Sequence, residues 1–415
     1  MKIKQIEAIP LVRKLEDVFQ GGTYKITSRN TIVTRVTLDN GVVGETFGGD
    51  EDQYQLDVCR IVNEIFGPLL VGGDVRDVEA HWERMWGTRI DLNNRGIHTL
   101  DLAKHCVHTQ AIAAVDIGLW DALGKALHQP VHKLLGGARD RVPVIAIGGY
   151  VMAGKTPQQS SGLAAGQAPQ QHSAFAAGQA SQQNSAFAAG QALADLETEI
   201  AFYKDQQIGG MKLKVGKLSV AEDIERTRLA RKVGGPKFHL CTDANQSWTV
   251  AEALAFARGV RDLNLAWLEE PVRWHDQIEG NARVRSIGIP VNAGQGEISR
   301  HGCRELVVRG AVDILNVDAT IAAGVTEWRR IAGLAHGFGV TMAHHEEPQV
   351  ALQLLAGAPN GLCVEIFPNY NRDPMWFDLP ETQPAIRDGF MQLPERPGFG
   401  LPLRAETIAR WRVGA

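Results

Sequence analysis

The chain has 415 residues, with 43 Lys and Arg against 47 Asp and Glu and a formal net charge of −4, so no basic field points to nucleic acid. Its 44% hydrophobic and 22% charged content is that of a globular protein, and nowhere do 18 consecutive apolar residues occur that could span a membrane. The length is too great for one ordinary compact domain, so a second is expected. The five cysteines, Cys59, Cys106, Cys241, Cys303 and Cys363, are odd in number and form no Cys-x-x-Cys pair, which speaks against a disulfide framework or a structural zinc site. With an apolar stretch in MKIKQIEAIPLV too short for a signal peptide, a cytoplasmic location is expected.

From the start, KQIEAIPLV and NTIVTRVTLDNGVVGE predict strands, because β-branched residues alternate with polar ones and Asp39-Asn40-Gly41 closes a hairpin. Helical patterns follow from about 51 to 130, strongest in HTQAIAAVDIGLWDALGKAL. After PVHKLLGGARD the rhythm changes to short apolar runs separated by amphipathic helical stretches, the pattern of a parallel sheet with crossover helices. The eight runs are VPVIAIGGY, GMKLKVG, KFHLCTDAN, LAWLEEP, IPVNAG, VDILNVD, FGVTMAH and LCVEIF. The expected fold is therefore α/β: a (β/α) TIM-type barrel over 136–384, preceded by an α+β domain over 1–135. A tail from 385 to 415 is expected to be irregular and to return to the first domain.

Residues 157–192 interrupt the barrel pattern with three tandem copies of a twelve-residue unit, PQQSSGLAAGQA, PQQHSAFAAGQA and SQQNSAFAAGQA. The period matches no standard solenoid, and Gly166, Gly178 and Gly190 weaken any continuous helix. A flexible or partly helical arm is expected, emerging after the first barrel strand on the face where barrel active sites form, as a lid or an oligomer contact.

Charged residues are costly inside parallel strands, so the informative places are where these runs stop being apolar. Lys212 and Lys214 sit two apart in a strand and share a face, and paired cations depress each other's pKa, which makes a lysine usable as a base near neutral pH. Asp243, Glu269 and Glu297 end three successive strands, 26 and 28 residues apart, about one βα unit each. Carboxylates converging in this way suit a hard ion such as Mg2+ rather than zinc. Glu270, adjacent to Glu269, must point to the other face, and Gln295 shares the parity of Glu297; Glu269 and Glu297 are taken, the latter as the carboxylate of its pair. Asp318 and His345 end later strands and Glu365 lies in CVEIF; an aspartate beside a histidine fixes its tautomer and makes a second proton-transfer group.

With these residues in hand, the chain resembles the mandelate racemase subgroup of the enolase superfamily over nearly its whole length. The resemblance rests on AIAAVDIGLWDALGKALHQPVHKLLGG, the Lys-x-Lys of MKLKVG, TDANQ, LEEP, the DATIAAGVTEW segment and GLCVEIF. It implies an amino-terminal capping domain closing over a modified barrel, Mg2+ held by Asp243, Glu269 and Glu297, and acid/base groups in Lys214 and the Asp318–His345 dyad. It further implies that Lys212 contacts the substrate carboxylate, that Glu365 donates a hydrogen bond to the developing enolate and that Asn245 supports the metal site. Capping loops at about Lys14–Asn30 and Gly48–Glu51 would set specificity, with Tyr24, Lys25, Arg29 and Asp50 as polar candidates. The sequence departs from the simplest family pattern at AGQGE, where Gln295 takes the expected ligand position, and in the repeat.

The reaction implied is removal of the proton alpha to a carboxylate. Dehydration of a sugar acid to a 2-keto-3-deoxy acid is the preferred outcome, making the protein a hydro-lyase; racemisation or epimerisation of a 2-hydroxy acid is the second. A catalytically silent sugar-acid binding protein is the third, disfavoured because a binder has no need of two opposed bases. A homo-oligomer, dimer or octamer, is expected from the same resemblance.

Overall fold

The computed structural model describes residues 1–49, 54–88, 90, 102–152 and 183–414. At the amino terminus β1 (Ile3–Gln20), β2 (Lys25–Leu38) and β3 (Val43–Gly48) form an antiparallel sheet. The expected turn at Asp39-Asn40-Gly41 joins β2 to β3, with Gly41 in the left-handed region at φ +85°. A second, longer hairpin joins β1 to β2, paired from Ile3↔Leu38 to Gln20↔Lys25 with register shifts between Ile3 and Gln5 and between Lys14 and Phe19, and its tip is the Gly21-Gly22-Thr23-Tyr24 turn.

Helices α1 (Gln55–Ile61), α2 (Gly67–Leu70) and α4 (Leu102–Ala126) pack on this sheet, and α3 (Val78–Trp86) packs on α4. In α4, Ala111, Ile112, Val115, Leu119 and Ala122 are fully buried. A helix apolar on more than one side needs more than one neighbour, and α4 has the sheet on one side and a barrel helix on another. Gly44 of β3 permits the approach: a Cβ there would lie 2.6 Å from the backbone of both Gly118 and Ala122.

After α5 (Val131–Leu134), β4 (Arg141–Gly148) begins the barrel. The chain then leaves it briefly as β5 (Val151–Met152), which pairs with the end of β1, and re-enters through α6 (Gln183–Asp205). Strand and helix alternate from there: β6 (Gly210–Lys214), α7 (Val220–Gly234), β7 (His239–Asp243), α8 (Val250–Val260), β8 (Leu268–Glu269), α9 (Gln277–Arg285), β9 (Val291–Ala293), α10 (Arg300–Val308), β10 (Ile314–Asn316), α11 (Gly324–Gly337), β11 (Thr341–Ala343), α12 (Pro348–Gly357) and β12 (Val364–Ile366). Ser219 with Glu222 and Thr249 with Glu252 form reciprocal capping boxes that start α7 and α8.

The strands are parallel, and each of the eight runs named from the sequence supplies one. β12 pairs with β4. Met342 N donates to Asn360 O and Leu362 N to Met342 O, both at 2.8 Å, which closes the ring between β11 and β12. The fold is thus an α/β barrel with an amino-terminal α+β cap.

One expectation, the irregular tail, is corrected. In the third repeat copy α6 runs unbroken through Gly190, because its downstream half is anchored on the barrel by Leu196, Ile200 and Tyr203, at most 1% exposed; such packing outweighs the roughly 1 kcal/mol that one helical glycine costs. The first two copies lie outside the described residues. A short helix α13 (Pro374–Asp378) follows the barrel, and the tail from 385, expected to be irregular, contains a hairpin of β13 (Ile386–Arg387) and β14 (Phe390–Gln392), and α14 (Ala405–Trp411). β14 adds antiparallel to β4, while the residues after α14 bond β1 through Val413 N to Pro10 O at 3.0 Å.

The cap and barrel are joined by polar as well as apolar contacts. Asp116 of α4 accepts from the backbone N and hydroxyl of Thr326 on α11, Trp120 Nε1 donates to the same hydroxyl, and Trp82 Nε1 donates to Ala323 O. Among the described residues, no helix is long and apolar enough to cross a membrane.

Candidate active site

The barrel interior is stacked in layers. Ile145, Cys241, Trp267, Ile314, Ala343 and Cys363 form an apolar floor. Two residues further along five of these strands, the strand period returns the same face and places Asp243, Glu269, Asn316, His345 and Glu365 above it. The polar layer faces the carboxyl ends of the strands, where barrel enzymes carry their chemistry. Lys214, Asp243 and Glu269 stand side by side in register on β6, β7 and β8.

Lys212 and Lys214 are buried together with these acids. Lys212 Nζ donates to Glu269 Oε1 at 2.6 Å and Glu365 Oε2 at 2.7 Å, and Lys214 Nζ donates to Asp243 Oδ2 at 2.6 Å. Burial works to lower both lysine pKa values, but the surrounding carboxylates outweigh it and hold both well above the usual lysine value. The expectation that the two cations depress each other is therefore corrected: their mutual repulsion is the smaller effect beside three acids. Burial outweighs the neighbouring Lys212 at Glu269 and pushes its pKa up to about 8, so that near neutral pH this carboxyl holds a proton and the cluster is close to charge balance.

The structure separates the neighbouring acids of LEEP. Glu269 is filled by four donors, Lys212, Asn316, Trp267 and Asn292. Glu270, at φ +40°, accepts from the backbone N of Gly294 and Gln295 and from Gln246. Glu297 does not join them: its carboxylate accepts from Gln277 at 2.6 Å and lies against Gly302, where a Cβ would overlap it. Among the described residues no three Asp, Glu, His or Cys side chains converge to hold a metal ion. Gln295 offers instead a buried Oε1 without a hydrogen-bond partner, an acceptor whose burial is costly unless a cation or water meets it. An oxygen-only donor set that includes this amide fits a hard divalent ion.

Across the mouth, His345 Nδ1 lies 3.3 Å from Asp318 Oδ2, and Asp318 Oδ1 accepts from Thr320 N and Oγ1. Burial works against charge on His345, but Glu346 and Asp318 prevail and raise its pKa to about 9. The adjacent His344 is turned into the backbone, where its Nε2 accepts from Ala319 N and its Nδ1 faces main-chain carbonyls. Glu365 Oε2 also accepts from Glu346 N, and its Oε1 is buried without a partner.

The cap closes over this layer through the tip of its long hairpin. A Cβ on Gly22 would lie 2.9 Å from Ser247 and 3.1 Å from Ala244 O, so only glycine lets the tip sit on the loop after β7. Tyr24 then reaches Asn245 Oδ1 at 3.3 Å, with Lys214 Nζ 5.9 Å from its ring centroid and equally far from that of Tyr150. Arg29 is buried and forks onto Asp373 at 3.2 and 3.4 Å. Lys25 is exposed at the hairpin edge and is not brought to the site, and Asp50 lies outside the described residues.

Sequence reasoning missed Tyr150, Asn292, Asn316, Glu346, Arg372 and Asp373. Asn292 and Asn316 carried a usable signal, polar residues inside otherwise apolar strand runs. Arg372 and Asp373 lie in the loop after β12, where nothing in the sequence marks their burial.

Two family profiles match the chain: "Enolase C-terminal domain-like" over residues 195–407 and "Mandelate racemase / muconate lactonizing enzyme, N-terminal domain" over 18–136. A crystal structure of a mandelate racemase/muconate lactonizing enzyme from a marine actinobacterium, in complex with magnesium, is 36% identical with a TM-score of 0.81, covering 100% of this chain and 99% of that one. The 3,6-anhydro-alpha-L-galactonate cycloisomerase of Streptomyces coelicolor is 28% identical, over 98% of this chain and 97% of its own. The L-talarate/galactarate dehydratase of Salmonella typhimurium is 27% identical, over 97% and 88%.

Proposed function

The chain belongs to the mandelate racemase/muconate lactonizing enzyme family of the enolase superfamily, and from that premise we propose that it dehydrates a sugar acid, using Mg2+, to a 2-keto-3-deoxy acid. The metal site we propose comprises Asp243, Glu269 and the Gln295 amide oxygen, with Glu270 holding the Gln295 backbone in place. The cation would neutralise the substrate carboxylate and the charge that grows there as the neighbouring proton leaves.

Lys212, between Glu269 and Glu365, meets the other side of that carboxylate, and Glu365 borders the same charge. Lys214 takes the proton from the carbon alpha to the carboxylate. Its opposing influences are burial, which favours the neutral amine, and Asp243, whose charge is committed elsewhere once a cation is bound. His345, on the seventh strand of the ring, gives its proton to the β-hydroxyl, which leaves as water; the resulting enol tautomerises to the keto acid. Asp318 holds the imidazole by Nδ1 and leaves Nε2 toward the substrate.

The observation that carries this reading is geometric: the Asp318–His345 pair, with Nδ1 3.3 Å from Oδ2, stands across the mouth from the buried Lys214. Two proton-transfer groups on opposite walls are what elimination requires. The relatives named as a dehydratase and a cycloisomerase act on sugar acids or their derivatives, as their names state. The test is incubation in D2O with Mg2+ across a panel of sugar acids and simple 2-hydroxy acids, reading deuterium incorporation and keto acid together. Keto acid from a sugar acid, lost in Lys214→Ala and His345→Ala, is expected; exchange with inversion and no keto acid would replace dehydration by epimerisation.

A further inference from the structure

The loop after β11 carries two adjacent histidines and puts them to opposite uses. His344 Nε2 accepts from Ala319 N at 3.0 Å, so its Nδ1 bears the proton and donates to His345 O at 3.0 Å. Burial lowers the His344 pKa, and the neutral ring staples this loop to the one that carries Asp318. Glu346 and Glu347 follow at φ +48° and +49°, and Glu346 N donates to Glu365 Oε2 at 3.1 Å. Two successive glutamates in the left-handed region are strained backbone, of the kind that persists where its surroundings fix the direction of a side chain.

The turn leaves His345 between two carboxylates. Asp318 Oδ2 lies 3.3 Å from Nδ1, and Glu346 Oε1 lies 3.6 Å from Nε2. The second separation exceeds hydrogen-bond distance, so Glu346 attracts the Nε2 proton without binding it and leaves it for a substrate hydroxyl. Glu346 is 8% exposed, with its other oxygen 3.8 Å from Arg29 Nη1. Burial opposes its charge, but His345, Arg372, Arg29 and Lys214 prevail and hold its pKa down to about 2, so it stays ionised wherever His345 titrates. Around His345, Glu346 and Asp318 outweigh burial and the repulsion of Lys212. Neither of these carboxylates belongs to the proposed metal set, so cation binding takes neither from the imidazole.

We infer that Glu346 completes, with Asp318, a clamp of two carboxylates on the His345 imidazolium, and that this commits the His345 wall of the site to giving a proton. A base must be neutral before it takes a proton, and an imidazole with an anion at each nitrogen is rarely so. Two-base racemisation needs both walls to take a proton in turn, whereas elimination needs a base on one wall and an acid on the other. The inference rests on the proposed dehydration and deepens it: Glu346 is a positioning residue that acts through His345 and makes the α-proton chemistry one-sided.

The test uses the full chain with Mg2+ and ring-13C histidine. His345 is assigned as the signal missing from His345→Asn, and its titration is followed by NMR in the wild type, Glu346→Gln and Glu346→Ala, each variant checked for folding by its melting curve. In the wild type His345 should titrate above the ordinary value near 6.5, and both variants should lower its pKa by about one unit or more. Deuterium exchange is then read in D2O with two pairs of sugar acids epimeric at C2, galactonate with talonate and gluconate with mannonate. The wild type should exchange the α-proton of one epimer of a pair alone, and Glu346→Gln should raise exchange from the other by about tenfold, the gain in neutral imidazole for one pK unit. A wild-type His345 at or below about 6.5, a pKa unmoved in both variants, or a wild type that exchanges both epimers at comparable rates would overturn the inference. Exchange from none of the four acids would count against the proposed dehydration, while the titration of His345 would still decide the role of Glu346.

Discussion

Lys214 Nζ and Asp243 Oδ2 are 2.6 Å apart, both side chains buried at the barrel mouth. The group proposed to move a proton and a group proposed to hold the cation therefore neutralise each other, and each binding event at one changes the other.

Lys214→Ala should uncouple them. Without the competing ammonium, Asp243 should bind Mg2+ more tightly by about tenfold or more, the scale of one to three pK units exerted by an opposite charge in contact. Proton exchange should fall by at least about 10². In the metal-free protein the variant should unfold more easily, because a buried carboxylate has lost its partner, and Mg2+ should restore the difference. Titration calorimetry and melting curves with and without Mg2+ measure both; unchanged Mg2+ affinity would remove the coupling.

Glu297 and Gln295 make opposite predictions. Glu297→Gln should leave Mg2+ affinity within about twofold, since its carboxylate faces Gln277 and Gly302. Gln295→Ala should weaken Mg2+ by about tenfold or more, and Gln295→Glu should tighten it by adding a charged oxygen. If Glu297→Gln alone abolishes binding, the carboxylate must swing inward on metal binding and the proposed ligand set fails.

Turnover should depend on the protonated state of His345. With its pKa raised to about 9, the imidazolium is present at neutral pH and is lost as pH rises through about 9, so kcat should fall on that limb. Its ion pairs contribute stability that is complete below the unfolded value near 6.5 and disappears over the same rise. Asp318→Asn removes one of the two anions responsible, and the alkaline limb should move to lower pH by about one unit. A limb that stays in place would separate His345 from the rate.

Asp116, at the seam between cap and barrel, is fully buried, and burial pushes its pKa up to about 7 despite two hydrogen bonds from Thr326. A carboxyl raised in the folded state contributes stability below its unfolded pKa near 4 and loses it as pH rises to about 7, at up to about 1.4 kcal/mol per pH unit. Asp116→Asn lacks this dependence, so its Tm relative to the wild type should rise between pH 5 and pH 7 and level off above. A constant difference across that range would mean that the seam tolerates the charge.

Much of the architecture was legible before any coordinates. Eight apolar runs at βα spacing specify eight parallel strands, because a strand buried on both faces must be apolar along its length. The acids and bases at the ends of those runs, Lys212, Lys214, Asp243, Glu269, Asp318, His345 and Glu365, were visible for the converse reason: charge in such a position is too costly to be incidental. The tail was less legible, since β13, β14 and α14 are short and owe their form to β4 and β1, which lie far away in sequence.

Residue order alone dictates which side chains line the barrel, since a period of two leaves no freedom once a strand is assigned. It could not choose between residues whose direction depends on a loop. Glu297 and Gln295 share a parity, and only the turn after β9 sends one toward Gln277 and leaves the other's amide oxygen buried and unpartnered. The lysines looked like cations that depress each other, and only the folded barrel, by bringing Glu269, Glu365 and Asp243 to Lys212 and Asp243 and Glu346 to Lys214, reversed that sign. Glu346 and Arg372 likewise have no pattern around them; their meaning comes from a strained turn, a cap residue and a loop meeting in one place, a relation among segments that no local spacing encodes.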